Sequence, residues 1–476
     1  METFGGPIPD KTMRILNILV FLLLVLGFGL RMYDLTDQPI DFHPTRQLRG
    51  ALIARGMFFQ MVSPVNDETR KLAVAFMNST GQYEPPILER LVAWTYLLMP
   101  GDPMQRGQSF WVARIYNSLF WMIAGLALFA LARRLATPVP NSPQAGYSSL
   151  AANLAALFSL AYFLVLPFGV QASRSFQPDP GMTMWIVLYA YALYRWSEGQ
   201  SWKWAVLAGL FGGIAILVKA VALYIVAGAG LAMVIALFGR QILKLLRSPQ
   251  VWVIAILCLT PTFLFYIRQS GRASVYFSSW TVALSHLLLE RSTYIRWLIM
   301  LINLMGWAAL LVSLAGVMLA KSRNRALLIG LGGGYIIYGL TLPYQMYTHT
   351  YYHIQLIPVL ALAMAPAAAF VIQRILQTQF KIWYTLLAAA VLGWMVFSAW
   401  KAVELLHSQD FRKEPAYWQE ITSFLPTGGK IIGLTQDYGF RLMFYGWRKV
   451  VLWPSRGEIN LSILRGSSKQ FQAFFK

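Results

Sequence analysis

Three carboxylates in this 476-residue chain stand within three residues of prolines that restrict the backbone around them. Asp41 lies in Asp41-Phe42-His43-Pro44, Glu84 in Tyr83-Glu84-Pro85-Pro86 and Asp179 in Gln177-Pro178-Asp179-Pro180. A carboxylate fixed near a hydroxyl can take its proton as the oxygen attacks an electrophile. Each acid also has a plain structural reading. Asp caps helices and Pro favours the first helical turn, so Glu84 and Asp179 suit helix starts. The cations offer a second kind of chemistry. Lys219, in Leu217-Val218-Lys219-Ala220, interrupts an otherwise apolar run, and an ionisable group at membrane depth is a functional candidate by default. As a phosphate ligand it would act as a point charge; its structural alternative is to snorkel to lipid headgroups. Arg174 and Arg268 are further cation candidates. His349 and His353 are four apart, which on a helix would suit a divalent metal. Tyr344, Tyr347, Tyr351 and Tyr352 around them have the pattern of an interfacial aromatic belt. The spacing leaves a divalent metal open and names no cofactor.

The elements that must position these groups are apolar helices. The chain is 57% hydrophobic and only 12% charged, against about a quarter charged in ordinary soluble proteins. Eleven runs are almost free of charge: Ile15–Met32, Trp111–Leu131, Leu150–Val170, Thr183–Ala192, Trp204–Val218, Ala220–Phe238, Val251–Ile267, Trp297–Ala320, Leu327–Leu342, Ile354–Val371 and Ile382–Trp400. A spanning helix takes about 20 predominantly apolar residues, and several runs need their flanks to reach that length. The expected fold is an all-α polytopic membrane protein with about eleven transmembrane helices. Cys258 is the single cysteine and lies in one of the runs, which excludes an intramolecular disulfide. The first run follows Lys11 and Arg14 with no convincing cleavage site, and reads as a retained span.

The formal charge of +21 would suggest a nucleic-acid partner in a soluble protein. Here the basic residues sit in short loops between apolar runs, as the positive-inside rule requires. Arg133 and Arg134, Arg195 and Lys203, Arg240, Lys244 and Arg247, Lys321, Arg323 and Arg325, and Arg374 and Lys381 all fall inside when the runs are counted from a cytoplasmic N-terminus. The same count places residues 33–110, 171–180, the break at Lys219, residues 268–294, residues 343–353 and everything after Trp400 on the outer face of a cell inner or plasma membrane. The chain thus divides into a membrane domain, residues 1–400, and a small extracytoplasmic domain, residues 401–476. Within the outer loop 34–110, Arg46–Met61 reads as an amphipathic helix on the membrane surface and Ile87–Met99 as a second short helix. Lys430–Thr435 and Val450–Trp453 read as short strands flanking a helix at Phe440–Tyr445.

With these residues in order, the chain resembles the GT-C membrane glycosyltransferases of glycosyltransferase family 39, related to protein O-mannosyltransferases and aminoarabinose transferases. The resemblance spans nearly the whole order of helices. It rests on an outer acid after the first span (Asp41), a Glu-Pro-Pro segment opening a short helix (Glu84) and an Asp-Pro starting the fourth span (Asp179). A Gly-rich run leading to Lys219, and Tyr351-Tyr352-His353 with Pro358 before an Ala-rich span, complete the set. It implies inverting transfer from a polyprenyl-phosphate sugar to an acceptor hydroxyl outside the membrane, with Asp41 as general base and Asp179 supporting it. Two departures bear on the site. The family commonly shows Asp-Glu after the first span, where this chain has Asp41-Phe42-His43. Many relatives carry a lysine after the glutamate that is here followed by Pro85, so Arg46, Arg174 or Lys219 would substitute as phosphate ligands.

A transporter is the rival class. Transporters place ionisable groups near the midplane on broken helices, often with internal repeats, whereas the charged candidates here gather at one face and no repeat is visible. A membrane scaffold would leave those one-sided acids without a purpose.

Overall fold

The computed structural model describes residues 10–63, 65–81, 83–137, 149–239, 241–267, 275–380, 382–426 and 429–466. Arg268, a cation candidate, and the loop residues Arg240 and Lys381 lie outside them. All eleven apolar runs are helical in whole or in two pieces, and the chain is a multi-pass membrane protein. The first span is α1 (Asp10–Met32). The segment after it folds as α2 (Pro44–Met61), α3 (Asp67–Ser79) and α4 (Ile87–Leu98). The chain then returns as α5 (Trp111–Ala136), whose last turn carries Arg133 and Arg134. Ile18, Phe21 and Leu22 of α1 are exposed, as lipid-facing side chains should be.

Breaks in the helices place the polar groups. Pro167 starts a new helix one residue after α6 (Ser149–Val165) ends, bending α7 (Pro167–Arg174) by 60°; its missing N–H suits that first turn. α8 (Asp179–Gly199) opens on Asp179-Pro180, and α9 (Trp202–Val218) stops at Lys219, which is extended at φ −157° and ψ 119°. α10 (Ala222–Phe238) resumes three residues later. α11 (Pro249–Tyr266) is a further full-length span. The run Trp297–Ala320, expected as one span, is two helices, α12 (Arg291–Met305) and α13 (Trp307–Leu319), bent by 97° at Gly306. Gly306 sits at φ 84°, a conformation that glycine adopts without penalty.

α14 (Ser322–Thr341) lies against α10 with almost no side chain between them. A Cβ on Gly228 would fall 2.4 Å from the Gly330 carbonyl oxygen, and one on Gly334 2.3 Å from that of Tyr224. Small residues allow this approach, and backbone contact is what drives helix pairing in lipid. α15 (Leu356–Leu376) is buried along most of its length, whereas α16 (Ile382–His407) exposes Leu392, Val396 and Phe397.

After α16 come α17 (Glu414–Ser423), β1 (Ile432–Gly433), α18 (Phe440–Tyr445), β2 (Val451–Leu452) and α19 (Arg456–Leu464). The two strands pair in parallel, and they fall inside the two stretches the sequence marks. The segment between α1 and α5 corrects one expectation. α2 is not laid on the membrane surface, because it is buried from Gln47 to Phe59 on every side. Leu52, Phe58 and Phe59 share a core with Phe76 of α3, Val92 and Tyr96 of α4, and Leu442, Met443 and Phe444 of α18. Arg55, fully buried, donates to the Phe444 carbonyl at 2.7 Å and the Met443 carbonyl at 2.8 Å, with its guanidinium 4.1 Å from the Trp447 ring. The C-terminal elements are thereby fastened to the segment between α1 and α5.

Candidate functional site

The first turns of α2 put Arg46 and Arg49 side by side. Both reach Glu84 in the link before α4: Arg46 Nη2 at 2.8 Å from Oε1, and Arg49 Nη1 at 3.4 Å from Oε2. Arg49 also donates to the Gly81 carbonyl at 2.8 Å. Burial alone would raise the Glu84 carboxyl, but Arg46, Arg49 and Lys219 outweigh it and hold its pKa at about 2. Lys219, from the α9–α10 break, donates to Asp179 Oδ1 at 2.7 Å. The other oxygen, Asp179 Oδ2, is buried and has no hydrogen-bond partner among the described residues. Tyr351 stands between the cations, with Lys219 Nζ 4.9 Å and the Arg46 guanidinium 5.6 Å from its ring. Tyr352 extends the shelf, 5.3 Å from Lys219 Nζ and hydrogen-bonded through its hydroxyl to Tyr276 at 3.1 Å.

His43 closes this pocket from the start of α2. Its ring stacks on His349 at 6.1 Å and meets the edge of Tyr351 at 4.7 Å, and Nε2 lies 2.8 Å from Thr350 Oγ1. Burial, then His349, Arg46 and Lys219, push its pKa down to about 3, so the imidazole is neutral at ordinary pH. Its backbone is left-handed at φ 47° and ψ 69°.

Asp41 belongs to a second cluster, on the far side of Gln47. Arg114 Nη2 lies 2.8 Å from its Oδ1 and Arg174 Nη2 3.6 Å from its Oδ2, while Gln47 Nε2 donates to Oδ1 at 2.9 Å. Both guanidiniums are fully buried. Arg114 also donates to the carbonyls of Leu35 and Asp37, and Arg174 to those of Arg31, Tyr33 and Asp34. Asp41 thus ties the chain after α1 to α5 and α7, and its side chain is 6% exposed. That arrangement runs against Asp41 as an acid open to an acceptor, and against Arg174 as a phosphate ligand.

Comparison with known proteins bears on both clusters. The family model described as dolichyl-phosphate-mannose-protein mannosyltransferase matches residues 103–267, about a third of the chain. No curated protein sequence matches. Crystal structures of ArnT from Cupriavidus metallidurans superpose over 97% of this chain and 89% of that one. The form bound to undecaprenyl phosphate is 16% identical at a TM-score of 0.57, and the apo form 15% identical at 0.58. The fold is the GT-C fold of ArnT.

Within this ArnT fold, Arg46, Glu84, Lys219, Asp179, His43, His349 and Tyr352 converge, as the sequence reading requires of one site. Asp41 and Arg174 stand apart from it. His353 does not share a face with His349. It lies in a 3-10 turn, buried in the bundle, with Nδ1 2.6 Å from the Tyr335 hydroxyl and Nε2 2.9 Å from the Met346 carbonyl. Both ring nitrogens are engaged, so the pair is not a metal site, and no group of three metal-ligating residues occurs among the described residues. Sequence reasoning missed Arg49, Gln47, Arg114 and Tyr276. Arg49 follows Arg46 by three residues, the spacing that puts two side chains on one helix face, and that signal was available.

Proposed function

We propose that the chain transfers a sugar from a polyprenyl-phosphate donor to an acceptor hydroxyl on the extracytoplasmic side of the membrane, with inversion. One observation carries this reading. Among the described residues of the pocket, Arg46, Arg49 and Lys219 make ion pairs with two carboxylates, Glu84 and Asp179. Burial raises the pKa of the neighbouring Glu89 to about 7 and so favours its neutral form. The surplus is one positive charge, which matches the single negative charge of a phosphodiester donor. The fold supports it, because ArnT with that fold holds undecaprenyl phosphate.

In the reaction, the acceptor oxygen bonds to the anomeric carbon and the bond from that carbon to the phosphate oxygen breaks. The leaving phosphate gains one negative charge, and preorganised cations stabilise charge that grows in the transition state. Lys219 supplies a point charge and Arg46 a directional fork. Glu84 and Asp179 hold these two cations in place. Tyr351 and Tyr352 offer ring faces against which a sugar can lie. Asp41, clamped between two arginines, serves this site by fixing the start of α2 rather than by taking a proton. The short basic loops put the N-terminus in the cytoplasm and residues 401–476 outside, on a cell inner or plasma membrane. A transporter would move its cargo intact, and a surplus of charge in a pocket at one face gives it no second exit.

The test is to incubate the purified protein with a panel of polyprenyl-phosphate sugars and acceptors, and to follow release of free polyprenyl phosphate. Release that depends on acceptor is expected. Movement of intact donor across proteoliposomes without cleavage would establish the transporter instead.

A further inference from the structure

A transfer of this kind needs a group that takes the acceptor proton, and the three carboxylates singled out in the sequence are already committed. Glu84 is gripped by two arginines. Asp179 gives one oxygen to Lys219, and its other is shut away from the surface. Asp41 is held by Arg114, Arg174 and Gln47. Ion-paired carboxylates of this kind are poor bases, because protonation would leave a buried cation without its counter-charge.

His43 is different. Its Nε2 meets Thr350, and Nδ1 has no hydrogen-bond partner among the described residues. The ring is only partly buried, and it lies beside the same Tyr351 that faces Arg46 and Lys219. Its position also defies local rules. A histidine at φ 47° directly before Pro44 is strained, and its side chain makes no cap to the helix it precedes. Such strain is kept only where surrounding contacts impose it, and it clusters at working sites.

We propose that His43 takes the proton of the acceptor hydroxyl. Thr350 accepts the Nε2–H, which fixes the tautomer and leaves the lone pair on Nδ1. This proposal rests on the transfer reading above. As the acceptor oxygen bonds to the anomeric carbon, its proton passes to Nδ1, the phosphate departs with the electron pair of the broken bond, and the imidazolium later loses its proton to water. The surroundings couple the two ends of the step. Burial and the neighbouring His349 keep the ring neutral while the pocket is empty, and Arg46 and Lys219 add to that. A phosphate seated on those cations offsets their field, and the charge it gains on leaving offsets it further. The imidazole therefore becomes more basic as the bond to phosphate breaks.

The experiment compares wild type with His43→Asn, which tolerates a left-handed backbone but has no basic nitrogen, and with His43→Ala. With any donor that wild type consumes, kcat of His43→Asn should fall about 10²–10⁴-fold, the usual loss for a general base. Binding of undecaprenyl phosphate should persist, and added imidazole should restore part of the activity of His43→Ala. In ring-labelled wild type, the His43 signal should titrate at higher pH with undecaprenyl phosphate present than without it. A His43→Asn variant as fast as wild type, or a ring whose titration ignores the lipid, overturns the proposal while leaving the transfer reading intact. A wild type that consumes no polyprenyl-phosphate sugar at all overturns the transfer reading, and the proposal falls with it.

Discussion

Asp41→Asn separates a base from a structural tie more sharply than any other substitution in this chain. As a base, Asp41 could lose its charge with the fold intact, since Asn is similar in size and also caps helices. The structure predicts otherwise. Arg114 and Arg174 are fully buried, and Asp41 touches both. In the variant, the amide oxygen can still accept from Arg114 or Gln47, but the amide NH2 must face Arg174, a donor against a donor. Removing one partner of a buried ion pair costs about 3–5 kcal/mol. The backbone carbonyls that also bind these arginines put this case near the lower end, at ~3 kcal/mol. A destabilisation of that size lowers the apparent melting temperature of a chain this long by about 5 °C. The assay is a thermal scan of tryptophan fluorescence in detergent, run beside donor turnover on protein that remains folded. An unchanged melting temperature with transfer abolished would refute the structural assignment and return Asp41 to the role of base.

Lys219→Ala should abolish binding of undecaprenyl phosphate, measured by native mass spectrometry, while Lys219→Arg keeps part of it because charge matters more than the amine. For Glu84, with its pKa held at about 2 against a usual 4.5, the stability it contributes is complete above pH 4.5 and drains away as pH falls towards 2. Between those limits wild type should therefore lose thermal stability more steeply than Glu84→Gln, and parallel curves would contradict the ion-pair account. Arg55→Met should loosen residues 408–466 from the segment between α1 and α5 and expose them to limited proteolysis, since it removes both bonds to the Met443 and Phe444 carbonyls.

Lys219 and Glu84 were legible in the sequence for physical reasons. A lysine inside an apolar run is a functional candidate even beside its snorkelling alternative, and a glutamate before two prolines stands where the chain has little freedom. The ion pairs of Asp41 were not legible because its counter-charges are remote. Arg114 and Arg174 come from α5 and α7, and no local pattern announces a pairing across so much chain. His349 and His353 failed as a metal pair because the segment is a 3-10 turn, which points the second ring into the bundle at Tyr335. The apolar stripe of α2 and the helix at Phe440–Tyr445 were both visible, but not that this helix, α18, covers another face of α2. The 97° bend between α12 and α13 turns on Gly306, one glycine in a run where membrane helices commonly carry them. The order and type of the helices followed from hydropathy; their bends and their long-range ion pairs did not.

Under the proposed transfer, the seam between α10 and α14 has a consequence for how the pocket meets a lipid donor. Lys219 precedes α10 by three residues, and Tyr351 and Tyr352 follow α14. Because the Gly228 and Gly330 backbones lie against each other, no side chain is there to rotate and let the two helices slide. The spacing between the ammonium and the aromatic rings is set when the helices assemble, and each catalytic cycle inherits it. The reorganisation that a solvent or a flexible loop would undergo around a departing phosphate is absent here, which is the condition under which fixed charges act most strongly. Adaptation must then come from the donor's flexible polyprenyl tail, and a donor whose phosphate-to-sugar geometry differs by a bond length meets a template that does not yield.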